Sequence, residues 1–143
     1  MKEHKLEINV KLDLSVGADT IEEMLALLDS TVNSWAEICW DTDAFEAALN
    51  RLRSKKEDFM ISCYAVEVEI LESGGKLIVY DREADEDHNL TLEMLLNGFK
   101  RHIPNLVQDG FRRTNSADVN DLNYLDASKI IQYAIFGKII YEQ

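Results

Sequence analysis

Apolar and polar side chains alternate in two separate parts of this chain, and helical spacing dominates between them. Over 5–14, apolar residues from Leu6 to Leu14 alternate with charged and polar ones, which is the period of a strand with one buried face. Over 66–70, two glutamates alternate with three aliphatic residues in the same way. Apolar residues over 20–34 instead recur every three or four positions, which indicates an amphipathic helix. The strand period and the helix period occur together within one chain of 143 residues, which predicts an α+β fold.

Turn and capping residues place the other elements. Glycines in the segment 72–75 favour a tight turn, so 59–72 and 76–81 are predicted to form a β-hairpin. Thr20 and Glu23 have the spacing of a capping box for the first helix. The remaining predictions are a short strand at 35–40, a helix beginning at 41–43, a helix from Thr91 stopping near Pro104, a loop over 105–123, a helix over 125–136 ending at Gly137 and a short strand at 139–141.

One acidic α+β domain over residues 1–143 accounts for this order of elements. We expect a small antiparallel or mixed sheet of about four to five strands, with about four helices packed on it. The chain holds one proline and no glycine-rich linker, which favours a single compact unit. A chain of this length buries roughly two-thirds of its unfolded surface, so its core needs no disulfide. Cys39 and Cys63 are therefore predicted to be buried, reduced thiols.

Acidic residues outnumber basic ones by 27 to 15, which gives a formal net charge of −12. This balance argues against direct nucleic-acid binding and against docking on anionic lipid, since both require cationic side chains. The charge is also unevenly placed. Nine acidic residues and no Lys or Arg lie from Asp13 to Glu46, and nine more lie from Glu67 to Glu93 beside two cations. The rest of the chain is net positive, so the protein is predicted to be polarised.

Carboxylates that are segregated on rigid elements can steer a cationic partner and compete with phosphates for a basic groove. The alternative without a binding role is an acidic face that only keeps the protein soluble. The first interpretation predicts binding to a basic nucleic-acid-binding protein or nucleoprotein complex. Its candidate partner-binding residues are Glu67, Glu69, Glu72, Asp81, Glu83, Asp85, Glu86 and Asp87, with Glu22, Glu23 and Asp29 extending the surface.

The acidic loop 81–88 is the best candidate for cation binding, because clustered carboxylate oxygens suit hard cations. An EF-hand counted from Asp81 fails at its two diagnostic positions, where Glu86 replaces glycine and Leu92 replaces glutamate. We therefore predict no metal site and no cofactor. A metal-dependent hydrolase that uses this loop ranks third among the possible functions.

Familiar signatures of catalysis and of membrane targeting are missing from the sequence. None of the three histidines lies in a zinc-ligand spacing, and neither a nucleophile elbow nor a phosphate-binding glycine loop occurs. The amino-terminal residues lack the apolar run of a signal peptide, and no apolar run is long enough to cross a bilayer. The sequence therefore predicts a non-enzymatic, cytoplasmic protein.

Two segments carry a resemblance to a group of proteins. In 77–99 a hydrophobic strand is followed by an acidic run and then Leu-Thr-Leu-Glu-Met-Leu-Leu-Asn-Gly, and 126–141 reads Asp-Ala-Ser-Lys-Ile-Ile-Gln-Tyr-Ala-Ile-Phe-Gly-Lys-Ile-Ile-Tyr. The chain resembles the small acidic accessory proteins encoded in phages and conjugative elements of gut bacteria over about half its length. The resemblance implies a bacterial host, and proteins in that setting often inhibit host defence, as anti-CRISPR and anti-restriction proteins do.

Together these observations predict an inhibitor of a host nucleic-acid-targeting system that uses an acidic surface to occupy a basic groove. The alternative is a regulatory or scaffold module of a mobile element that pairs through apolar surface, with a homodimer as one form. That alternative expects Tyr133, Phe136 and Tyr141 to be exposed near the end of the sequence, whereas a core position for them would remove its basis.

Overall fold

A computed structural model of the chain describes residues 3–7, 15–31, 34–55, 61–109 and 122–142. Over these ranges the fold is α+β, as the sequence predicts, with three strands where four to five were expected. The elements are α1 Ala18–Asp29, β1 Ala36–Cys39, α2 Thr42–Lys55, α3 Cys63–Glu72, β2 Leu77–Asp81, β3 Glu86–Leu90, α4 Leu92–Asp109 and α5 Tyr124–Phe136. Residues 8–14 of the predicted first strand lie outside the described ranges, and 5–7 have no regular structure.

The three strands form an antiparallel sheet in the order β1-β2-β3. Residues on one face are buried and form part of the hydrophobic core: Ala36, Ile38, Leu77, Val79 and Leu90. The opposite face presents half-buried and exposed side chains from all three strands. The alternation of burial along β1 and β2 is the pattern of a sheet with a single covered face.

A layer of helices covers the buried face. α1 contacts β1, α3 contacts β2 and α5 contacts β3, which places these three helices against the sheet. α2 packs on α3, while α4 packs on α5. Residues Ile21, Met24, Leu25 and Leu28 form the fully buried stripe of α1, which lies between α3 and α5. The core therefore sits between this helical layer and one side of the sheet.

The predicted hairpin of 59–72 and 76–81 is wrong, because the structure has helix α3 where its first strand was expected. The alternation misled because Glu67 is buried beside Val66 and Val68, so the polar residue does not mark a solvent face. α3 packs against both α1 and α2 and is buried around most of its circumference. Ser62 caps this helix by accepting a 3.1 Å hydrogen bond from the backbone N–H of Ala65. The hairpin that does form joins β2 to β3.

Helix boundaries also differ from the predictions at three places. α1 begins after Gly17, with no side-chain cap, and ends at Asp29, so the Thr20–Glu23 capping box and the extension to 34 are wrong. α4 continues through Pro104 to Asp109, although proline lacks the N–H that a helix interior uses. Leu95, Phe99, His102 and Ile103, which precede this proline, are buried, and α4 packs against α5. The predicted loop over 105–123 therefore starts too early, and 110–121 lie outside the described residues.

α5 and the segment after it match the prediction except for the short strand. The helix spans Tyr124–Phe136, and Gly137 ends it with a left-handed φ of 72°. Residues 139–141 form no strand. The Gln132 Oε1 atom accepts 2.7 Å hydrogen bonds from the N–H groups of both Ile140 and Tyr141. This side chain fixes the segment after Gly137 (the C-terminal segment, residues 138–142) against α5.

Candidate functional site

Glu37, Tyr80 and Asp87 lie in one row across the open face of the sheet. Glu37 is the register partner of Tyr80 in β2, and Tyr80 is the partner of Asp87 in β3. Side chains directly opposite one another in antiparallel strands lie on the same face, within about 5 Å at their Cβ atoms. Both carboxylates are exposed and the tyrosine is half-buried. The row therefore presents an aromatic ring between two negative charges.

The turn between β2 and β3 places further carboxylates beside this row. It consists of residues 82–85, and Asp85 adopts a left-handed backbone with a φ of 54°. The Asp85 Oδ1 atom accepts a 2.5 Å hydrogen bond from the Tyr80 hydroxyl, which raises the pKa of Tyr80. Aspartate tolerates the left-handed region better than most residues, so it suits this position. The bond ties the end of the turn to the open face.

Five exposed carboxylates lie on the hairpin and its neighbouring strand, and we call them the acidic hairpin surface: Glu37, Glu83, Asp85, Glu86 and Asp87. Glu86 is the register partner of the buried Asp81, so its side chain lies at the edge of the covered face rather than in the row. Arg82 is the one cation within the turn, and its guanidinium lies 3.3 Å from Glu37 while also donating to the Ser34 carbonyl. Because both members of this ion pair are more than two-fifths exposed, water screens it strongly. The surface keeps a net negative charge after this pairing.

Two of the predicted partner-binding residues are buried, which corrects their expected position on the surface. Asp81 is 1% exposed, and its Oδ1 atom accepts hydrogen bonds from the backbone N–H groups of Glu83 and Ala84. Glu67 is also 1% exposed, and its Oε2 atom has no hydrogen-bond partner among the described residues. Burial, and secondarily the charge of Asp29, raises the pKa of Glu67 to about 8.

The other predicted acidic residues lie on helices rather than on the hairpin. Glu69 is mostly buried and pairs with Arg51 of α2 at 3.1 Å, whereas Glu72 is exposed at the end of α3. Asp29 ends α1 and accepts a 3.0 Å hydrogen bond from the Tyr64 hydroxyl of α3. That bond contributes, after burial, to raising the pKa of Tyr64 to about 12. The remaining two, Glu22 and Glu23, are half-buried on α1. Four of the eleven predicted residues thus belong to the acidic hairpin surface: Glu83, Asp85, Glu86 and Asp87.

The aromatic residues expected on a possible apolar surface are instead half-buried. Phe136 and Tyr141 pack on Trp35, with ring centroids 5.6 and 5.1 Å from that indole. Tyr133 lies under the Arg101 guanidinium at 4.8 Å. These contacts are those of a small aromatic cluster that closes the core at the C-terminal segment. They remove most of the apolar surface on which the scaffold alternative relied.

Sequence reasoning missed several residues that organise the region around the site. Glu37 was not among the candidates, although alternation along the strand at 35–40 places its side chain on the other face of the strand from the buried Ile38. The sequence analysis also did not predict the buried pair of His102 in α4 and Asp126 in α5. The His102 Nε2 atom lies 2.8 Å from the Asp126 Oδ1 atom. Asn123 and Asp126 form the capping box of α5, and their spacing of three residues is a sequence signal for it.

The remaining features considered for the site are metal-ligating groups, the two thiols and membrane-spanning helices. Within the described residues, no group of three or more His, Cys, Asp or Glu side chains is arranged to hold a metal ion. Cys39 is half-buried and Cys63 is exposed, so the prediction of two buried thiols is wrong for Cys63, and both are free. Burial is the largest cause that raises the pKa of each thiol. None of the described helices combines the length and the apolar character needed to cross a membrane.

Comparison of the chain with protein families, with curated proteins and with solved structures finds no match.

Proposed function

We propose that this protein binds a basic, nucleic-acid-binding surface of a bacterial host protein through its acidic hairpin surface, and thereby competes with nucleic acid. The observation that carries the proposal is the set of five exposed carboxylates on one hairpin and its neighbouring strand, with Arg82 as the turn's only cation. Groups held on a rigid sheet lose little entropy on binding, and their summed field attracts cationic partners.

The kind of partner follows from charge complementarity. A groove that receives phosphates is lined by Lys and Arg, and a row of carboxylates can take the place of those phosphates. The resemblance to accessory proteins of phages and conjugative elements favours a defence protein of the host cytoplasm, such as a CRISPR or restriction nuclease. In this proposal the protein acts as a non-enzymatic inhibitor.

A plasmid-interference assay tests this function in bacterial cells that carry a CRISPR or a restriction nuclease. The hairpin variant combines Glu83→Gln, Asp85→Asn, Glu86→Gln and Asp87→Asn, which removes four charges and keeps the side-chain shapes. The control variant removes four exposed carboxylates elsewhere, through Asp19→Asn, Asp43→Asn, Glu46→Gln and Glu93→Gln.

The wild-type protein is expected to raise transformation by a targeted plasmid at least about tenfold. The control variant should behave as the wild type does, while the hairpin variant should lose the protection. Equal protection by the hairpin and control variants, or none by the wild type against either nuclease class, would contradict the proposal.

A further inference from the structure

The shape of the acidic turn depends on a buried carboxylate that lies outside the binding surface. Asp81 ends β2, and its Oδ1 atom accepts hydrogen bonds of 3.0 and 3.1 Å from the N–H groups of Glu83 and Ala84. These two bonds hold the first half of the turn, which presents Glu83 and leads to Asp85. The orientation of the Asp81 carboxylate therefore sets where the exposed charges of the turn lie.

The second oxygen of that carboxylate is bonded to the other end of the sequence. The Tyr141 hydroxyl donates a 2.7 Å hydrogen bond to Asp81 Oδ2. This bond is the largest cause that raises the pKa of Tyr141 to about 12. The hydroxyl is protonated at neutral pH, as in any tyrosine, and therefore acts as a donor. Hydrogen bonds to a carboxylate are stronger than those between neutral groups, so this contact can fix the Asp81 side chain.

Tyr141 is itself held in place by α5 and by the aromatic cluster. Gln132, which is fully buried, accepts from the Tyr141 N–H at 2.7 Å and donates to the Tyr141 carbonyl oxygen at 3.0 Å. The tyrosine ring packs on Trp35 at a centroid distance of 5.1 Å. The backbone N–H, the carbonyl oxygen and the ring of Tyr141 are thus held in place by contacts other than the hydrogen bond from its hydroxyl to Asp81. A continuous set of contacts joins α5 to the acidic turn.

We propose that Tyr141 is a positioning residue for the acidic hairpin surface, which it orders through Asp81 without touching the partner. The expected effect of Tyr141 on partner binding rests on the proposed function. The expected effect of Tyr141 on the order of the turn is independent of any partner. In this arrangement the C-terminal segment acts as a brace, and loss of one hydroxyl should loosen the turn while the charge of the protein stays the same.

The experiment compares Tyr141→Phe with the matched control Tyr133→Phe, since each removes one phenolic hydroxyl from a half-buried ring. Amide hydrogen exchange, followed residue by residue, reports on the N–H groups of Glu83 and Ala84. Binding of a ten-residue peptide of alternating Arg and Lys provides the second readout. Glu83→Gln, Asp85→Asn, Glu86→Gln and Asp87→Asn together, the hairpin variant, serve as the reference for loss of charge.

Tyr141→Phe should speed exchange at Glu83 and Ala84 at least about tenfold, because the lost hydrogen bond is one to a charged carboxylate. Its affinity for the peptide should fall about three- to fivefold, while the salt dependence stays that of the wild type because no charge changes. Tyr133→Phe should change neither quantity.

Two results would overturn the brace. One is exchange at Glu83 and Ala84 that is the same in Tyr141→Phe and Tyr133→Phe. The other is faster exchange with unchanged peptide affinity, which would make Tyr141 a structural residue only. A peptide that binds the wild type and the hairpin variant equally would refute the proposed function instead, and the exchange measurement would still decide whether Tyr141 orders the turn.

Discussion

Gly98 of α4 lies directly against the backbone of Ile130 in α5. A Cβ atom at position 98 would overlap the Ile130 carbonyl oxygen and lie 3.2 Å from the Ala134 methyl group. Helices can approach this closely only where a side chain is missing. This contact sets the spacing of the two helices, each of which buries several core residues.

Gly98→Ala should therefore destabilise the protein by about 1–3 kcal/mol, despite the better helix propensity of alanine. The clash is with backbone, which cannot move aside as a flexible side chain can. Urea unfolding followed by circular dichroism measures the change. Asn97→Ala is the matched control on the exposed side of the same helix and should be neutral or slightly stabilising. Equal stability of the two variants would show that α4 and α5 are not in close backbone contact.

Glu67 should make the protein less stable as the pH rises from about 5 to 8. Its pKa in the folded protein is about 8, above the ordinary value of 4.5, because burial disfavours the charged carboxylate and Asp29 adds to this effect. Its contribution is fully present below pH 4.5 and is lost as the pH rises through the folded pKa. The free energy of unfolding should fall by up to about 1.4 kcal/mol per pH unit in this window.

Glu67→Gln should remove this part of the pH dependence, since the amide does not ionise. Urea unfolding at pH 5, 6, 7 and 8 measures it, with Glu72→Gln as the control because Glu72 is exposed on the same helix. The glutamine variant should gain stability over the wild type as the pH rises. A pH profile identical to that of the wild type would show that Glu67 is solvated.

The buried pair of His102 and Asp126 should stabilise the contact of α4 with α5. Asp126 meets His102 Nε2 at 2.8 Å through Oδ1, and its Oδ2 atom accepts a 3.0 Å hydrogen bond from the Asn123 N–H. Asp126→Ala should cost about 3 kcal/mol because it leaves both partners without an acceptor. A double-mutant cycle with His102→Ala should give a coupling energy of about 1–3 kcal/mol. Lys129→Ala, which is exposed on α5, should have no effect, and a coupling energy near zero would contradict the pairing.

Gln132 should control the attachment of the C-terminal segment. Gln132→Met keeps the volume but leaves the N–H groups of Ile140 and Tyr141 without their acceptor, which should cost about 1–3 kcal/mol. Amide exchange at these two residues should become faster, and Trp35 fluorescence should change as Tyr141 moves away from the indole. Lys138→Ala provides a control within the exposed part of the same segment. Unchanged exchange at Ile140 and Tyr141 would show that other groups hold the segment.

The fold class followed from the sequence because most helices are amphipathic or carry clear caps. The short strand around Ile38, the helix that begins near Asp41 and the helix that ends at Gly137 all appear where the patterns placed them. Helix α3 did not follow, because Glu67 is a buried polar residue and the segment therefore imitates a strand. β3 was also missed, since its sequence Glu-Asp-His-Asn-Leu has little β-propensity and forms a strand by pairing with β2.

Only part of the candidate site could be predicted from the sequence. The carboxylates after Asp81 were recognised from their density, and four of them are exposed on the hairpin. The sequence does not reveal that Asp81 is buried, because its partner Tyr141 lies 60 residues away in the chain. Glu37 joins the surface only through strand register, which depends on tertiary pairing.

Fluorescence anisotropy of the labelled Arg-Lys decapeptide, titrated at several salt concentrations, tests most directly whether the acidic hairpin surface binds cationic partners. The hairpin and control variants carry the same net charge, so only the position of the lost carboxylates differs. The hairpin variant should bind at least about tenfold more weakly than the control variant, with a shallower dependence on salt. Equal affinities and equal salt slopes for the two variants would contradict the account, because binding would then follow total charge rather than this surface.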